Sequence, residues 1–358
     1  MSLNYAAKYA SKVDERFIKG SLTNGVINQN FDWIGVQTVK VFSRDLVTLG
    51  DYSIQGANRY GSPNELGNNV QEMTLTQDKA FTYTIDRKSE QDTNGTMEAA
   101  ATLAENIDNV LIPAIDKYRI AVLAASAPSA GAISGTSHYV VASVSASSAY
   151  EEFLKAQEVL DNDLVPQGGR VALVTPKFFN YIKLDESFVK RGDMATRIAI
   201  NGVVGEIDGV PIIKVPASYF PNAAIDFIIT NPIAMVSPIK LQDFKIHVDP
   251  PGINGFLIEA RLRHDAFVLD KKADAIVVHI SQKAVTLDKT AITLGVGDTA
   301  TLVATTYPTG QTVTWSSSAA GKASVSNGVV TGVEAGSATI TATVDTNKTA
   351  TCAVTVSA

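Results

Sequence analysis

The sequence predicts an α+β body over residues 1–281 and an all-β sandwich over 282–358. Composition supplies the first reason. From Ala284 to Ala358 seven of seventy-five residues are charged (Asp288, Lys289, Asp298, Lys322, Glu334, Asp345, Lys348), against 18% for the whole chain, and Thr, Val, Ala, Ser and Gly dominate instead. The second reason is one long stretch of helical periodicity at 96–127. The third is a set of short alternating runs around it, arranged as hairpins and without a regular βαβ rhythm.

The elements of the body follow in order. Tyr5 to Lys19 has the spacing of an amphipathic helix, and a polar, Asn-rich extended stretch runs on to Gly35. Residues 36–49 (VQTVKVFSRDLVTL) and 70–86 (VQEMTLTQDKAFTYTID) alternate as strands do. Between them lies GDYSIQGANRYGSPNELGNN, twenty residues with four glycines and no periodicity. A loop of that length belongs in a compact domain only if it is functional or packs on another molecule. From Thr96 to Ala127, Leu103, Ile107, Val110, Leu111, Ala114, Ile115, Tyr118 and Val122 recur at three- and four-residue steps as one apolar stripe. Such a helix is on the order of 45 Å long. Pro113 inside it is expected to bend it by removing a backbone donor.

A Ser/Ala/Gly-rich connector (126–149) leads to a second helix at 148–163, where Ser148 and Glu151 have capping-box spacing. RVALVT then reads as a buried strand, and Pro176 takes the first position of the helix PKFFNYIKL. Short apolar runs at 210–216, 225–230 and 233–237 read as strands. FKIHV (244–248) and GFLIEARLRHDAFVLD (255–270) form a hairpin joined by Asp249-Pro250-Pro251-Gly252, and ADAIVVHIS (273–281) closes the body as a strand. Beyond it, TATLVATTY (299–307), TVTWSS (312–317), SATITATV (337–344) and ATCAVTV (350–356) alternate with period two, separated by turn signals such as Tyr307-Pro308-Thr309-Gly310 and Asn327-Gly328. This spacing predicts a sandwich of about seven strands, with Trp315 and Cys352 in its core.

Bulk properties exclude several functions. A chain of 358 residues suffices for two or three domains with sizeable cores. Its net charge of −6 does not suit electrostatic gripping of nucleic acid, although a protein that encloses DNA and later releases it tolerates that sign. No run of eighteen apolar residues occurs, so no transmembrane helix is expected. MSLNYAAKYASKVDERF carries charges where a signal peptide needs its apolar core, so folding in a cytoplasm is expected. Cys352 is the single cysteine, which leaves no intrachain disulfide and no thiolate metal cluster.

The chemistry-bearing residues do not assemble into a site. GVVGEIDGVPIIKVP (202–216) has glycines at 202, 205 and 209, but Gly209 is followed by Val-Pro and a strand. Phosphate-binding glycine loops open a helix, so this is a turn at Asp208-Gly209 between two strands. The histidines at 138, 247, 264 and 279 show no zinc-type spacing, and His247 and His279 read as packed or edge residues of strands. In Arg263-His264-Asp265 the neighbours point to opposite faces of a strand. Asp161-Asn162-Asp163 lacks the glycine and distal Glu of a calcium loop and is expected to be a solvated helix end. Neither a nucleophile elbow nor a Cys/His pair is present. The expectation is a protein that is not an enzyme, with no catalytic, cofactor-binding or metal-binding residues.

Several landmarks in order resemble the major capsid proteins of tailed bacteriophages, especially those infecting Gram-positive bacteria. They are NYAAKYASKVDERF, TVKVFS, DYSIQGANRYGSPNELGN, QDKAFTYTIDRKSEQDT, the helix with VLIPAIDKYR, and GEIDGVPIIKVP, together covering residues 1–281. AVTLDKTAITLGVGDTATLVATTYPT, VTWSSS, ASVSNGVVTGVEAGSATITATV and CAVTV resemble the bacterial Ig-like domains of group two. The first resemblance implies the HK-ninety-seven-type fold. Its parts would be an N-terminal arm (1–35), an E-loop hairpin (36–90) and a peripheral domain (91–145 and 238–281) with spine helix 96–127. An axial domain (146–237) and the Ig-like domain (282–358) would complete the chain.

The resemblance also implies function: a self-assembling icosahedral head protein in the virion capsid, assembled in the host bacterial cytoplasm. Its implied partners are copies of itself in pentamers and hexamers, portal and scaffolding proteins, and packaged double-stranded DNA in weak non-specific contact. A separate scaffolding protein is expected because Met1 stands almost directly at the arm. No motif assigns a crosslinking role to Lys79. The Ig-like domain would stand on the outer face, either as passive decoration or as a weak binder of carbohydrate. The alternatives are a major tail protein, against which the long helix counts, and an encapsulin-like compartment. A surface adhesin would need a secretion signal and an anchor.

Overall fold

A computed structural model describes residues 21–28, 38–56, 58–63, 65–92, 98–189, 205–345 and 348–357. The helix expected at 5–19 and Gly202 lie outside them. The described residues divide into two units, one built from Asn28–Asp108 and Val236–Lys272, the other from Ile18–Ile27, Asn109–Met235 and Ala273–Ala358.

The first unit is a ribbon and a sheet. Thr38–Arg44 pairs antiparallel with Asn68–Thr74 in an unbroken register from Thr38↔Thr74 to Arg44↔Asn68. The alternating run expected at 70–86 is two strands. Its second part, Gln77–Asp86, leaves the ribbon and pairs with Gly255–His264, which pairs in turn with Ile239–Val248. The break is set at Thr76, whose amide and hydroxyl both donate to the buried Asp265 at 2.7 and 2.9 Å. The expected hairpin through Asp249-Pro250-Pro251-Gly252 is present, with Asp249 and Gly252 at positive φ. Gly255 has φ +145°, and a Cβ there would stand 2.1 Å from the Ile85 carbonyl, so only glycine permits this strand approach.

The long helix runs as Ala99–Asn106, a π turn at Ile107–Leu111, and Ile112–Ser126. The expected stripe therefore holds in part. Leu103, Ile107, Leu111 and Ile115 are buried, but Val110 is 57% exposed and Ala114 is exposed, and beyond the π turn burial also takes in Ile112, Arg119, Ile120 and Leu123. Pro113 explains the change: its ring collides with the carbonyl four residues back, and a π turn with one extra residue relieves the collision. The extra residue rotates every later side chain by about one helical step of 100°.

That rotation brings Asp116 and Arg119 into the interior of the second unit. Asp116 accepts hydrogen bonds from Ser21 Oγ (2.6 Å), the Leu22 amide (2.9 Å) and Thr23 Oγ1 (2.6 Å). Arg119 donates to Thr23 Oγ1 at 3.1 Å. Burial draws the Arg119 guanidinium down to about 10, Asp116 opposing this, so it stays cationic at neutral pH.

The second unit is centred on a six-stranded mixed sheet ordered Tyr139–Val141, Ile276–Ile280, Ile225–Thr230, Val171–Val174, Val210–Lys214, Glu206–Ile207. Ile225–Thr230 is buried throughout, Asp226 included, as expected of a strand covered on both faces. Helices Ala149–Asn162 and Pro176–Leu184 contribute Phe153 and Phe178, which meet Phe227 at centroid distances of 5.5 and 4.4 Å. Thr175 caps the second helix through the Phe178 amide, with Pro176 at its first position.

The capping box expected at Ser148 does not form. The Ser148 side chain accepts from the Ser145 amide, and the helix at 149 is capped by Asp185, which accepts from the Tyr150 amide at 3.0 Å. A buried carboxylate from a distant segment satisfies the orphan donor that the local serine leaves.

The terminal strands form a sandwich with a four-stranded sheet ordered Ala291–Gly295, Thr349–Ser357, Gly336–Thr343, Thr314–Ser317. The described residues hold nine strand segments, and the run 299–307 is two of them, Thr299–Thr301 and Ala304–Tyr307, belonging to different sheets. The chain crosses at Leu302, which is buried among Val330, Ile340 and Cys352. Asn327 and Gly328, both at positive φ, make the two-residue turn that the sequence signals.

Candidate functional site

The glycine-rich stretch is a hairpin turn. Ile207 pairs with Val210, and Asp208 and Gly209 take φ of 49° and 73° between them. Asp208 is further held by the Gln157 amide at 2.9 Å. No helix opens there, so the local geometry is that of a turn and not of a phosphate cradle.

The histidines are dispersed. His247 lies on the open face of its strand, 3.1 Å from Glu259. His279 is buried, stacked on Phe227 at 4.7 Å, with Nδ1 3.1 Å from Asp226. His264 is buried next to Asp265, whose carboxylate is committed to Thr76 and to the Ala266 amide. Among the described residues no group of three His, Cys, Asp or Glu side chains is arranged to hold a metal. Cys352 lies in the sandwich core, where burial pushes its thiol pKa up. Trp315 packs against the same core. Lys79 lies exposed on its strand opposite Leu262.

In Asp161-Asn162-Asp163 the first two residues are exposed as expected of a solvated helix end, but Asp163 is not. Asp163 is buried and accepts from the Ile133 amide (2.9 Å), the Ser134 amide (2.8 Å), Ser134 Oγ (2.7 Å) and His138 Nε2 (2.9 Å). Burial alone would raise its pKa. The donors from Ser134, His138 and Ile133 outweigh burial and hold the carboxyl well below the usual range. His138 Nδ1 also donates, to the Ile276 carbonyl at 2.9 Å, so both ring nitrogens face acceptors. Ser134 and His138 meet the carboxylate side by side, and this arrangement ties a loop to a helix end without activating a nucleophile. Gly131 makes room for it, since a Cβ there would stand 2.1 Å from Asp163 Oδ2.

The feature that asks for a partner is the ribbon loop. Its base is anchored: Val39 and Val41 pack on Met73, Leu75, Val236 and Leu269, while the Gln71 side chain donates to the Val268 carbonyl and accepts from the Asp270 amide. Lys40 and Glu72 form a cross-strand ion pair. Beyond the base the apolar side chains have no cover. Leu46 is 95% exposed, Leu49 103%, Ile54 80% and Tyr60 90%, and Phe42 and Val47 are also largely exposed. The loop nevertheless has local order. Ser53 and Gly61 donate backbone bonds to Arg59 and Asn58, and the Tyr52 and Tyr60 rings meet edge to face at 5.0 Å. Exposed large apolar side chains on a loop that has its own hydrogen bonds and is closed by a paired ribbon make this loop the candidate interaction surface.

Comparison with known proteins adds two findings. Residues 282–354 match the family of bacterial Ig-like domains, group 2. No curated protein matches the chain by sequence. Among solved structures, a chain of Mycobacterium phage Che8 superposes with a TM-score of 0.58 at 19% identity, covering 72% of this chain and 90% of that one. A chain of the mature capsid of bacteriophage PhiM1 gives 0.53 at 13% identity, covering 72% and 83%. One from the capsid of the cyanophage P-SCSP1u gives 0.52 at 13%, covering 69% and 84%. The chain thus has the phage capsid fold, with a C-terminal Ig-like sandwich.

Proposed function

Starting from a body with the phage capsid fold and an Ig-like module behind it, we propose that this chain is the major head protein of a tailed double-stranded DNA bacteriophage. It assembles with copies of itself into an icosahedral shell around the genome and carries the Ig-like module on the outer face. The uncovered apolar loop between Arg44 and Asn68 carries this reading. The loop is ordered and anchored, yet its large side chains have nothing to bury against, which is the condition of a segment completed by a neighbouring subunit.

The mechanism is interface burial repeated by symmetry. Each fully buried Leu, Ile or Phe side chain contributes about 1.5–3 kcal/mol. Three such residues on one loop, Leu46, Leu49 and Ile54, offset part of the cost of fixing a subunit in place, and every subunit both gives and receives a loop. In this reading residues 1–35 form the arm, 36–90 the E-loop hairpin, and 91–145 with 238–281 the peripheral domain around the long helix. Residues 146–237 form the axial domain, whose loops meet at the five-fold and six-fold centres. Portal and scaffolding proteins are the further partners. Contact with packaged DNA is weak and non-specific, in keeping with a net charge of −6.

Electron microscopy of the purified protein tests the proposal. Closed polyhedral shells or hexameric capsomers are expected; a discrete monomer at high concentration overturns it, and tubes would mark a tail protein instead. Deleting residues 50–69 should leave a soluble subunit that assembles poorly, and normal assembly of that deletion would remove the loop from the mechanism.

A further inference from the structure

We propose that His279, Glu152 and Asp226 form a buried proton-binding site, with a proton on each nitrogen of the His279 ring, that joins the start of helix Ala149–Asn162 to the six-stranded sheet. The residues come from three elements of the second unit. His279 lies on the interior strand Ile276–Ile280, opposite Phe227 on one neighbouring strand and Val140 on the other. Its ring stacks on Phe227 at 4.7 Å with 12° between the planes, which fixes where each nitrogen lies. Nδ1 stands 3.1 Å from Asp226 Oδ2. An ionised carboxylate only accepts, so Nδ1 carries a hydrogen. Nε2, on the other side of the ring, stands 3.6 Å from Glu152 Oε2.

That second nitrogen is the anomaly. It is buried, and among the described residues it has no hydrogen-bond partner. The ring is 0% exposed, Glu152 6% and Asp226 5%, so bulk water does not reach them. A gap of 3.6 Å is too short to seat a water between the two atoms, since that takes two hydrogen bonds of about 2.8 Å. A bare Nε2 would therefore turn a lone pair toward a carboxylate, two acceptors meeting in an interior where unmet polar groups are costly. A proton on Nε2 makes the same pair a charge-assisted hydrogen bond after an approach of about 0.5 Å. Charge gives the same answer. Lys155 Nζ is 2.8 Å from Glu151 Oε1 and 2.8 Å from Glu152 Oε1. From the surface inward, Glu151, Lys155, Glu152, His279 and Asp226 alternate in sign only when the ring is a cation. A neutral ring leaves Lys155 alone against the two buried carboxylates. Phe227 and Val140 on the flanking strands add no charge, nor does Phe178 of helix Pro176–Leu184, packed on Phe227. The folded chain thus holds a proton that the unfolded chain yields more readily, and stability falls as rising pH removes it.

Nitrogen NMR of the histidine rings tests the site on the full chain, in solution or in assembled particles, so the outcome does not depend on shell formation. Two protonated nitrogens are expected at His279, whose signal is assigned by its contact with the Phe227 ring. A bare Nε2 overturns the proposal. Glu152→Gln then isolates the partner: its amide donates to Nε2 without an added proton, while its oxygen still accepts from Lys155. In that variant Nε2 should lose its hydrogen. The fall of stability with rising pH, read from urea unfolding, should also shrink, by up to about tenfold in the unfolding constant per pH unit, as expected of one proton. His138 has both nitrogens against acceptors as well and contributes alike to both chains, so the difference between them reports the His279 site. Equal pH slopes in the two chains overturn the link to Glu152. The ring measurement on the unaltered chain decides the proposal even where the variant fails to fold.

Discussion

Asp163 illustrates chemistry that residue spacing conceals. Its partners Ile133, Ser134 and His138 precede it by some twenty-five to thirty residues, and nothing in Asp161-Asn162-Asp163 announces them. Gly131 and Gly135 in the partner loop were the available signal, since a tight loop with glycines often wraps a side chain. Because the folded-state pKa is lowered, the stability it contributes is fully present above the unfolded value of about 4 and is lost as pH falls below it. Asp163→Asn should cost about 3–5 kcal/mol at neutral pH and flatten the acid limb of stability against pH, both read from urea unfolding. Caps behave alike. Asp185→Ala should cost about 0.5–2 kcal/mol through the helix at 149, whereas Ser148→Ala should be near neutral, the reverse of what local spacing alone suggests.

At the scale of elements, the strands and helices were largely legible because burial imposes its period directly. Ile225–Thr230, Pro176–Leu184 and the hairpin through Asp249-Pro250-Pro251-Gly252 lie where pattern and turn chemistry put them. The long helix was legible in existence and only partly in facing. Periodicity assumes a constant step, and Pro113 changes the step by forcing the π turn at Ile107–Leu111. Deleting Val110, which is exposed, should convert the π turn to regular helix without moving either buried face. The regained carbonyl collision at Pro113 should then cost about 3 kcal/mol, and adding Pro113→Ala should restore thermal stability. If the double variant is no better than the deletion, the proline is not the cause of the π turn. Breaks at Thr76 and Leu302 were missed for a related reason, since alternation continues through a point where a strand changes sheets.

For the whole molecule, the exposed loop was recognisable as a loop too long for its domain, but its apolar character mattered only once its side chains proved uncovered. Leu46→Ser, Leu49→Ser and Ile54→Ser together should leave unfolding of the isolated subunit within about 0.5 kcal/mol while assembly, followed by light scattering, is lost. A matching loss of subunit stability would mean that the loop serves its own chain. The sandwich offers a different handle. Cys352 is the one sulfhydryl in 358 residues and sits opposite Ile340 in the module's interior. A thiol reagent added to the folded protein therefore reacts only when the module opens, and the modified fraction counts unfolded modules without any added label. The chain carries a native gauge of its own C-terminal sandwich.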